Sequence, residues 1–390
     1  MNSEKVIYPR RLKLNLPPGK SAFLWGARKT GKSTFLRQRF PKSLWFDLLD
    51  TDLFFQFTKR PALFREQILA EADTQRLKRP IIVDEVQKVP QLLDEVHGLI
   101  EEKGFQFVLC GSSARKLKRS HANLLGGRAW RYELFPLTSV EIGEVNLLKA
   151  LNHGLVPSHY LETSYQKSLQ SYVQDYLKEE IMAEGVVRNL PAFTRFLDAL
   201  GYSQGEMTNF SNIASDCGVD SKTVREYYQI LVDTLLGTFV PPFAQKKSRH
   251  LISKAAKFYL FDVGIAGFLS KRLIQEERGI LFGKAFEHFI LMELLAYRSY
   301  FERDFEIRFW RRKTGQEVDF ILGEGEVAVE VKGTARVDSV DLRPLSSFGE
   351  EFRPRRSMVV CNERRSRRVG SIEILPWRVF LSSLWEGKVL

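Results

Sequence analysis

The stretch Gly26, Ala27, Arg28, Lys29, Thr30, Gly31, Lys32, Ser33 and Thr34 carries two glycines, a lysine and hydroxyls in the spacing G-x-x-x-x-G-K-S. Gly26 and Gly31 let the backbone turn back so that its N–H groups point inward, and a helix opening at this point adds its partial positive charge. Such a loop cradles phosphates. Lys32 is placed to reach the β- and γ-phosphates of a nucleoside triphosphate, and the Ser33 hydroxyl to hold Mg²⁺. All nine residues are candidate nucleotide contacts.

The run R-P-I-I-V-D-E, Arg79 to Glu85, is apolar throughout and then ends in two acids, the pattern of a strand buried on both faces. Asp84 at its carboxyl end suits Mg²⁺ ligation, direct or one shell out, and Glu85 suits orienting and deprotonating an attacking water. F-Q-F-V-L-C-G-S-S, Phe105 to Ser113, is a further buried run ending in hydroxyls. Ser112 or Ser113 either contacts the γ-phosphate or the water, or simply suits a strand-to-loop turn. Arg128 follows two glycines, where a guanidinium could stabilise transition-state charge in its own subunit or a neighbour's, with Arg131 a weaker candidate.

A second concentration of chemistry lies near the other end, in E-V-D-F-I-L-G-E-G-E-V-A-V-E-V-K from Glu317 to Lys332. Folding it as a hairpin about a two-residue turn at Glu324-Gly325 sets Phe320 against Val329 and Leu322 against Val327. By the same register Val318 meets Val331, so one face is wholly apolar. The other face pairs Asp319 with Glu330 and Glu317 with Lys332. Opposed acids destabilise a sheet unless something holds them, and Mg²⁺ or Mn²⁺ would do so through hard oxygen ligands. Lys332 beside such an ion could orient a nucleophilic water and stabilise developing charge. Glu287 shares a helical stripe with Leu291 and Leu294, so it needs a buried partner, and the same ion is the natural one. The ordinary alternative is an exposed sheet face carrying a cross-strand ion pair.

These groups need elements to position them. Strands near 21–25, 43–47, 80–84, 105–110 and 129–135, separated by helical stretches, describe a parallel α/β sheet with a nucleotide at its carboxyl ends. From Ser164 to Leu200 the apolar residues Tyr172, Tyr176, Ile181, Phe193, Phe196, Leu197 and Leu200 recur at helical spacing, which predicts packed helices forming a lid against that sheet. Asn209 to Leu231 reads as a helix, a turn at Cys217-Gly218-Val219 and a second helix capped by Asp220 or Ser221. Ile213, Ala214, Val219, Val224 and Leu231 form its buried set. Lys222, Thr223, Arg225 and Glu226 then open a helix of the kind that meets base edges, and Gln245, Lys246, Lys247 and Arg249 fall in a wing. The alternative is a helix-turn-helix that serves only packing or protein docking.

Composition supports this division. A chain of 390 residues exceeds one compact core. Its 44% hydrophobic and 27% charged residues are those of a globular protein rather than a disordered one. The net charge of +12 favours a polyanionic partner. Arg353, Arg355, Arg356, Arg364, Arg365, Arg367 and Arg368, with Trp310 to Lys313, could line a phosphate-tracking groove or form solvated faces. Cys110, Cys217 and Cys361 lack metal-ligand spacing and read as reduced, buried residues. The start has no apolar signal core, and no run reaches the ~18 apolar residues of a membrane span, so a cytoplasmic location is expected.

G-A-R-K-T-G-K-S, P-I-I-V-D-E-V-Q-K-V-P, L-C-G-S-S-A-R-K-L and L-L-G-G-R, followed by G-K-A-F-E, E-V-D-F and E-V-K, resemble the prokaryotic AAA-superfamily ATPases that carry a restriction-endonuclease-like C-terminal domain. The resemblance spans nearly the whole chain. It implies an α/β P-loop core over 1–150, a helical lid over 151–200, a winged helix-turn-helix over 201–272 and a PD-(D/E)xK-type α/β domain over 273–390. It also implies Walker A roles for Lys32 and Ser33, Walker B roles for Asp84 and Glu85, a sensor role for Ser112 or Ser113, and the nuclease motif at Glu287, Asp319, Glu330 and Lys332. Val318 stands where that motif has proline. The expectation is an Mg²⁺-dependent ATPase coupled to DNA binding, and to DNA cleavage if the nuclease motif is active. The alternative is a nucleotide-gated docking module whose nuclease-like fold is catalytically silent. Oligomerisation is compatible with both.

Overall fold

The computed structural model describes residues 7–74, 79–113, 115, 125–177, 189–244 and 256–390. The chain divides into two compact units, one of Arg10–Pro136 with Asp233–Leu236, the other chiefly of Leu137–Val232 and Gly237–Leu390.

The first unit contains β1 (Ser21–Trp25), α1 (Lys32–Arg39), β2 (Trp45–Asp47), α2 (Thr51–Lys59), α3 (Ala62–Thr74), β3 (Ile81–Asp84), α4 (Leu92–Lys103), β4 (Phe107–Gly111) and β5 (Ala129–Glu133). The strands form one parallel sheet in the order β2-β3-β4-β1-β5. β1, β3 and β4 are buried along their whole length, as expected where both faces are covered. Phe23, Val83, Leu109 and Phe107 pack with Phe57, Phe64 and Ile68 of the helices on one face. Register aligns Trp25 with Gly111 and Asp84 with Cys110, so the carboxyl ends of three adjacent strands lie side by side.

The second unit begins with α5 (Ser139–Ile142), α6 (Leu147–His153), α7 (Pro157–Leu161), α8 (Tyr165–Ser171) and α9 (Leu190–Ser203). Tyr172, Phe193, Phe196, Leu197 and Leu200 are buried. Ile181 and the Tyr176 side chain lie outside the described residues. Next come α10 (Phe210–Cys217) and α11 (Ser221–Asp233), joined through Gly218 at φ +67°. Asp220 caps α11, accepting from the Thr223 N–H at 2.8 Å. Ile213, Ala214, Val224 and Leu231 are buried, and Val219 is half-buried. β6 (Gly237–Val240) and β7 (Lys257–Leu260) form an antiparallel ribbon. Gln245, Lys246, Lys247 and Arg249 lie outside the described residues.

After α12 (Val263–Leu269) and the long α13 (Ile280–Tyr300) come β8 (Ile307–Arg311), β9 (Glu317–Leu322), β10 (Val327–Lys332), α14 (Arg343–Phe352), β11 (Arg356–Cys361), β12 (Arg367–Val369), β13 (Ile372–Pro376) and α15 (Trp377–Trp385). The strands form a mixed sheet in the order β12-β13-β11-β10-β9-β8. The β9–β10 hairpin has the expected register, Phe320 against Val329 and Leu322 against Val327. The turn spans residues 323–326 rather than two, with Gly323 and Gly325 at φ +69° and +106°. The wholly apolar face fails at one point, because a bulge lies where β9 pairs with β8. Two residues, Asp319 and Phe320, there oppose one, so side-chain alternation slips by a position. Val318 consequently joins Ile321, Ala328 and Trp310 in the core and not Phe320.

The three cysteines are free and buried. Among the described residues no helix is long and apolar enough to cross a membrane.

Candidate functional sites

The first site forms at the carboxyl ends of β1, β3 and β4. Gly26 ends β1 in tight quarters, since a Cβ there would lie 2.5 Å from the Leu134 carbonyl oxygen. Lys29 and Gly31 are left-handed, at φ 64° and 94°, a fold-back that glycine accepts freely and lysine does not. Thr30 fixes the loop from inside, donating from its hydroxyl to the Ala27 carbonyl at 2.8 Å. α1 starts without a side-chain cap and with no acid in its first turn, so no neighbouring carboxylate competes for its first N–H groups.

Lys32 is buried, and its ammonium donates to the carbonyls of Gly26 at 2.7 Å and Ala27 at 3.3 Å. The Ser33 hydroxyl donates to Asp84 Oδ2 at 2.6 Å. The loop and the β3 acid, 51 residues apart in sequence, thus meet directly. Asp84 Oδ1 accepts from the Cys110 thiol at 2.6 Å. Burial, then the Asp84 charge, pushes that thiol well above the usual range, so it stays protonated and donating.

Glu85 is left-handed at φ 56° and opens the short 3₁₀ turn Val86–Lys88. A non-glycine residue held there costs about 1 kcal/mol or more, a strain that recurs at functional sites. The turn returns Gln87 under Glu85. Its Nε2 donates to the Glu85 carboxylate and, at 3.0 Å, to Ser112 Oγ. Sequence reasoning missed Gln87. Its role depends on a tight turn with no signature beyond the acid pair. Gly111 makes room for it, since a Cβ there would lie 2.1 Å from Gln87 Oε1. Ser112 and Ser113 are both buried beside these groups.

Arg128 is placed elsewhere. It immediately precedes β5, and its carbonyl accepts from the Ser21 N–H that opens β1, which puts it at the amino edge of the sheet. Its guanidinium pairs with Glu101. Action on a phosphate bound at the carboxyl ends of its own sheet is therefore excluded, because strands of five residues separate the two edges. Arg131 lies within β5, opposite Phe23, and is exposed.

The second site lies in the second unit. Asp319 and Glu330 are buried together: the Asp319 N–H donates to Glu330 Oε2 at 3.4 Å, and Asp319 Oδ2 accepts from the Val331 N–H at 2.7 Å. Burial, then the Glu330 and Glu287 charges, raises Asp319 well above the carboxylate range, and burial raises Glu330 likewise against the pull of Lys332. Lys332 pairs with Glu330 at 2.7 Å rather than with Glu317, since both project from β10 two residues apart.

Glu287 has protein partners. It accepts from the Tyr259 hydroxyl at 2.5 Å and pairs with Lys257 Nζ at 3.3 Å. Lys257 also pairs with Glu317 at 2.5 Å. Lys257 and Tyr259 sit two apart on β7 and so face the same way. Burial would lower the Lys257 ammonium, but Glu287, Asp319 and Glu317 together raise it. A lysine opening a short apolar strand gives no sequence signal of this role, because such residues ordinarily face solvent. The set Glu287, Asp319 and Glu330 does not form an ion cage as it stands. Among the described residues no three His, Cys, Asp or Glu side chains are disposed to hold a metal. Lys257, Lys332 and the Val331 N–H take up the oxygens instead.

The arginine run is partly consumed by internal pairs, Arg367 with Glu363, Arg356 with Glu373 and Arg312 with Glu351. Arg364 and Arg365 are exposed in the loop after β11. That loop leaves the same end of the sheet as Lys332, which is in register with Cys361.

Residues 19–143 match the family profile described as an AAA domain, residues 145–275 a domain of unknown function (DUF8612) and residues 282–380 a domain of unknown function (DUF4143). The P-loop portion is thus of the AAA ATPase type. An uncharacterized protein of Methanocaldococcus jannaschii is 23% identical over 351 residues, 83% of this chain and 76% of that one. A Walker-type ATPase of Pyrococcus abyssi aligns in structure at 14% identity and TM-score 0.39, over 64% of this chain and 90% of its own. The Aeropyrum pernix ORC1 protein, solved in complex with DNA, aligns at 12% identity and TM-score 0.30, over 65% of this chain and 86% of its own. At these scores neither neighbour bears on how this chain works.

Proposed function

We propose that the chain binds and hydrolyses ATP in an Mg²⁺-dependent manner and couples its nucleotide state to DNA binding by its C-terminal half. The observation that carries the first part is the 2.6 Å contact of Ser33 with Asp84 beside the uncapped start of α1. A serine hydroxyl and a carboxylate are the hard oxygens that Mg²⁺ takes, and the ion supplies neutralisation of charge on the β- and γ-phosphate oxygens. The loop amides of Gly26 to Thr34 bind the phosphates, and Lys32 exchanges its carbonyl partners for phosphate oxygens. Glu85, held from below by Gln87, orients the attacking water and takes its proton. Ser112 or Ser113 contacts the same water or the γ-phosphate. Arg128, lying at the far edge of its own sheet, is placed to act only across a subunit boundary.

The segmentation that fits this reading is an AAA core, a helical lid, a winged helix-turn-helix and a restriction-endonuclease-like domain. Exposed Lys222 and Arg225 at the start of α11, together with Arg364 and Arg365, support a polyanion surface. The donor set at Asp319, Glu330 and Glu287 is chemically suited to Mg²⁺ or Mn²⁺, but its oxygens are taken by Lys257 and Lys332. That arrangement favours the second reading of the C-terminal domain, a nuclease-like fold serving as a nucleotide-gated docking module. Phosphate release from ATP, tested with Lys32→Ala and Glu85→Gln, decides the first part. Rapid turnover by both variants would refute the site. Nicking of supercoiled DNA with Mg²⁺ or Mn²⁺, lost in Asp319→Ala, would replace the docking reading with cleavage.

A further inference from the structure

The region 145–275 matched to a domain of unknown function contains a cavity of about 630 Å³ that no part of the ATPase reading uses. It lies among the ends of α6 and α12, the face of α8 and the face of α9. Leu197, Phe268 and Leu269 are among its apolar lining, and its charged lining is Lys167, Lys271 and Arg272 with one acid, Asp198. The volume is that of a site for a small organic molecule, for which ~300–1,000 Å³ is usual.

Arg272 is the residue that needs explaining. Its side chain is half-buried, and one guanidinium nitrogen donates to the Val263 carbonyl at 3.0 Å. Its Nε is buried without a hydrogen-bond partner. Burial alone pulls the guanidinium down, to about 10, with no charge opposing it. Buried cations are ordinarily paired, and a buried donor left without a partner is destabilising. The surrounding chain is nonetheless built to keep it there. Lys271 takes a left-handed turn at φ 52°, the Arg272 N–H returns to the Gly267 carbonyl at 2.8 Å, and a Cβ on Gly267 would lie 3.0 Å from the guanidinium. A helix-end cap accounts for the contact of the Arg272 N–H with the Gly267 carbonyl, and not for the guanidinium, which reaches back to the first residue of α12. Nor does it account for the cavity that the Arg272 side chain lines.

We propose that this cavity binds a small amphipathic anion, with one acidic headgroup paired to Arg272 and an apolar body against the lining of Leu197, Phe268 and Leu269. The guanidinium offers the planar fork suited to a carboxylate, sulfonate or phosphomonoester.

The test is fluorescence titration of the full chain with 8-anilinonaphthalene-1-sulfonate, in a Lys32→Ala background so that the nucleotide site does not compete. N-phenyl-1-naphthylamine, similar in its rings but neutral, serves as the control probe. Saturable sulfonate binding is expected, weakened about ten-fold or more by Arg272→Met, the loss of one charge-assisted hydrogen bond. Binding of the neutral probe should not change, and Arg272→Lys should restore part of the sulfonate affinity. Equal sulfonate affinity with and without Arg272, equal weakening of both probes, or no sulfonate binding would each overturn the proposal. A residue that only caps α12 lowers the melting temperature when replaced but does not separate the two probes.

Discussion

Two regions of this molecule gather acids at the ends of strands, and they neutralise them in opposite ways. Beside the P-loop, Asp84 faces a serine hydroxyl and a thiol, and the adjoining helix start carries no cap. At the β9–β10 hairpin, Glu317 and Glu330, with Glu287 of α13 beside them, face ammonium groups of the same chain. The first arrangement leaves positive potential for an incoming anion. The second is close to balanced within itself. An acid cluster in a sequence therefore marks a place where charge must be met, and the structure decides whether a ligand or the protein meets it.

The largest effect that could break this comparison is at Lys32. If the loop holds phosphates, Lys32→Ala should cut ATP turnover by about 10³-fold, in line with removal of a preorganised transition-state contact. Glu85→Gln should stall hydrolysis while retaining nucleotide. Phosphate release and equilibrium binding of a fluorescent nucleotide measure the two. Turnover within a few-fold of wild type in both would make the P-loop region as self-contained as the hairpin.

At the hairpin the corresponding residue is Lys257. Replacing it by methionine strands Glu287 and Glu317 without their cation, and removal of one partner of a buried pair costs about 3–5 kcal/mol. Thermal melting should show that loss. Added Mn²⁺ should recover part of it in the Lys257→Met variant and little in wild type, because only the variant frees the oxygens. Equal Mn²⁺ stabilisation of both proteins would show that Lys257 does not stand in for an ion.

The hairpin also shows how far sequence reaches. Its register followed from alternation alone, because only one pairing sets Phe320 against Val329 and Leu322 against Val327. The parallel strands were legible for a similar reason, as runs such as Ile81–Val83 leave no polar face. The bulge at Asp319–Phe320 was not legible, since it depends on β8 meeting the outer side of β9. Nor was Lys257, whose partners are 30 and 60 residues further along the chain. The need of Glu287 for a buried partner was correctly read from its helical stripe. Which partner met it depended on the placement of β7, which no local pattern encodes.

A third buried acid gives the comparison an intermediate case. Glu293 on α13 has no cation and is held by neutral donors: the Ser139 N–H at 2.6 Å, the Ser139 hydroxyl at 2.8 Å and Trp385 Nε1 at 2.7 Å. Burial raises its pKa to about 7, against the pull of those donors. The folded state then keeps a proton that the unfolded state releases above about 4.5, the ordinary value. Its contribution is therefore complete at low pH and lost as pH rises through 7, amounting to roughly 2–3 kcal/mol. Melting of wild type should fall between pH 5.5 and 8 more steeply than that of Glu293→Gln. Identical slopes would mean that neutral donors suffice to hold the carboxylate ionised.

The smallest expected effect is at Gln87, and it tests whether the P-loop region is as open as it looks. Gln87 Nε2 faces the Glu85 carboxylate and Ser112. The amide must point this way, because its oxygen against a carboxylate would be repulsive. With Nε2 so engaged, Oε1 is buried without a partner. Gln87→Leu keeps the volume and removes the donor, freeing Glu85 to leave its strained position. The expected result is a kcat about ten-fold lower with nucleotide affinity unchanged, the loss of one charge-assisted hydrogen bond in the transition state. Gly111→Ala should do the same from the other side, since its Cβ would displace the amide. In a Glu85→Gln background neither change should matter further, because both act through Glu85. If Gln87→Leu instead weakens nucleotide binding and leaves kcat intact, the amide supports the loop and not the acid, and Glu85 is held by the turn alone.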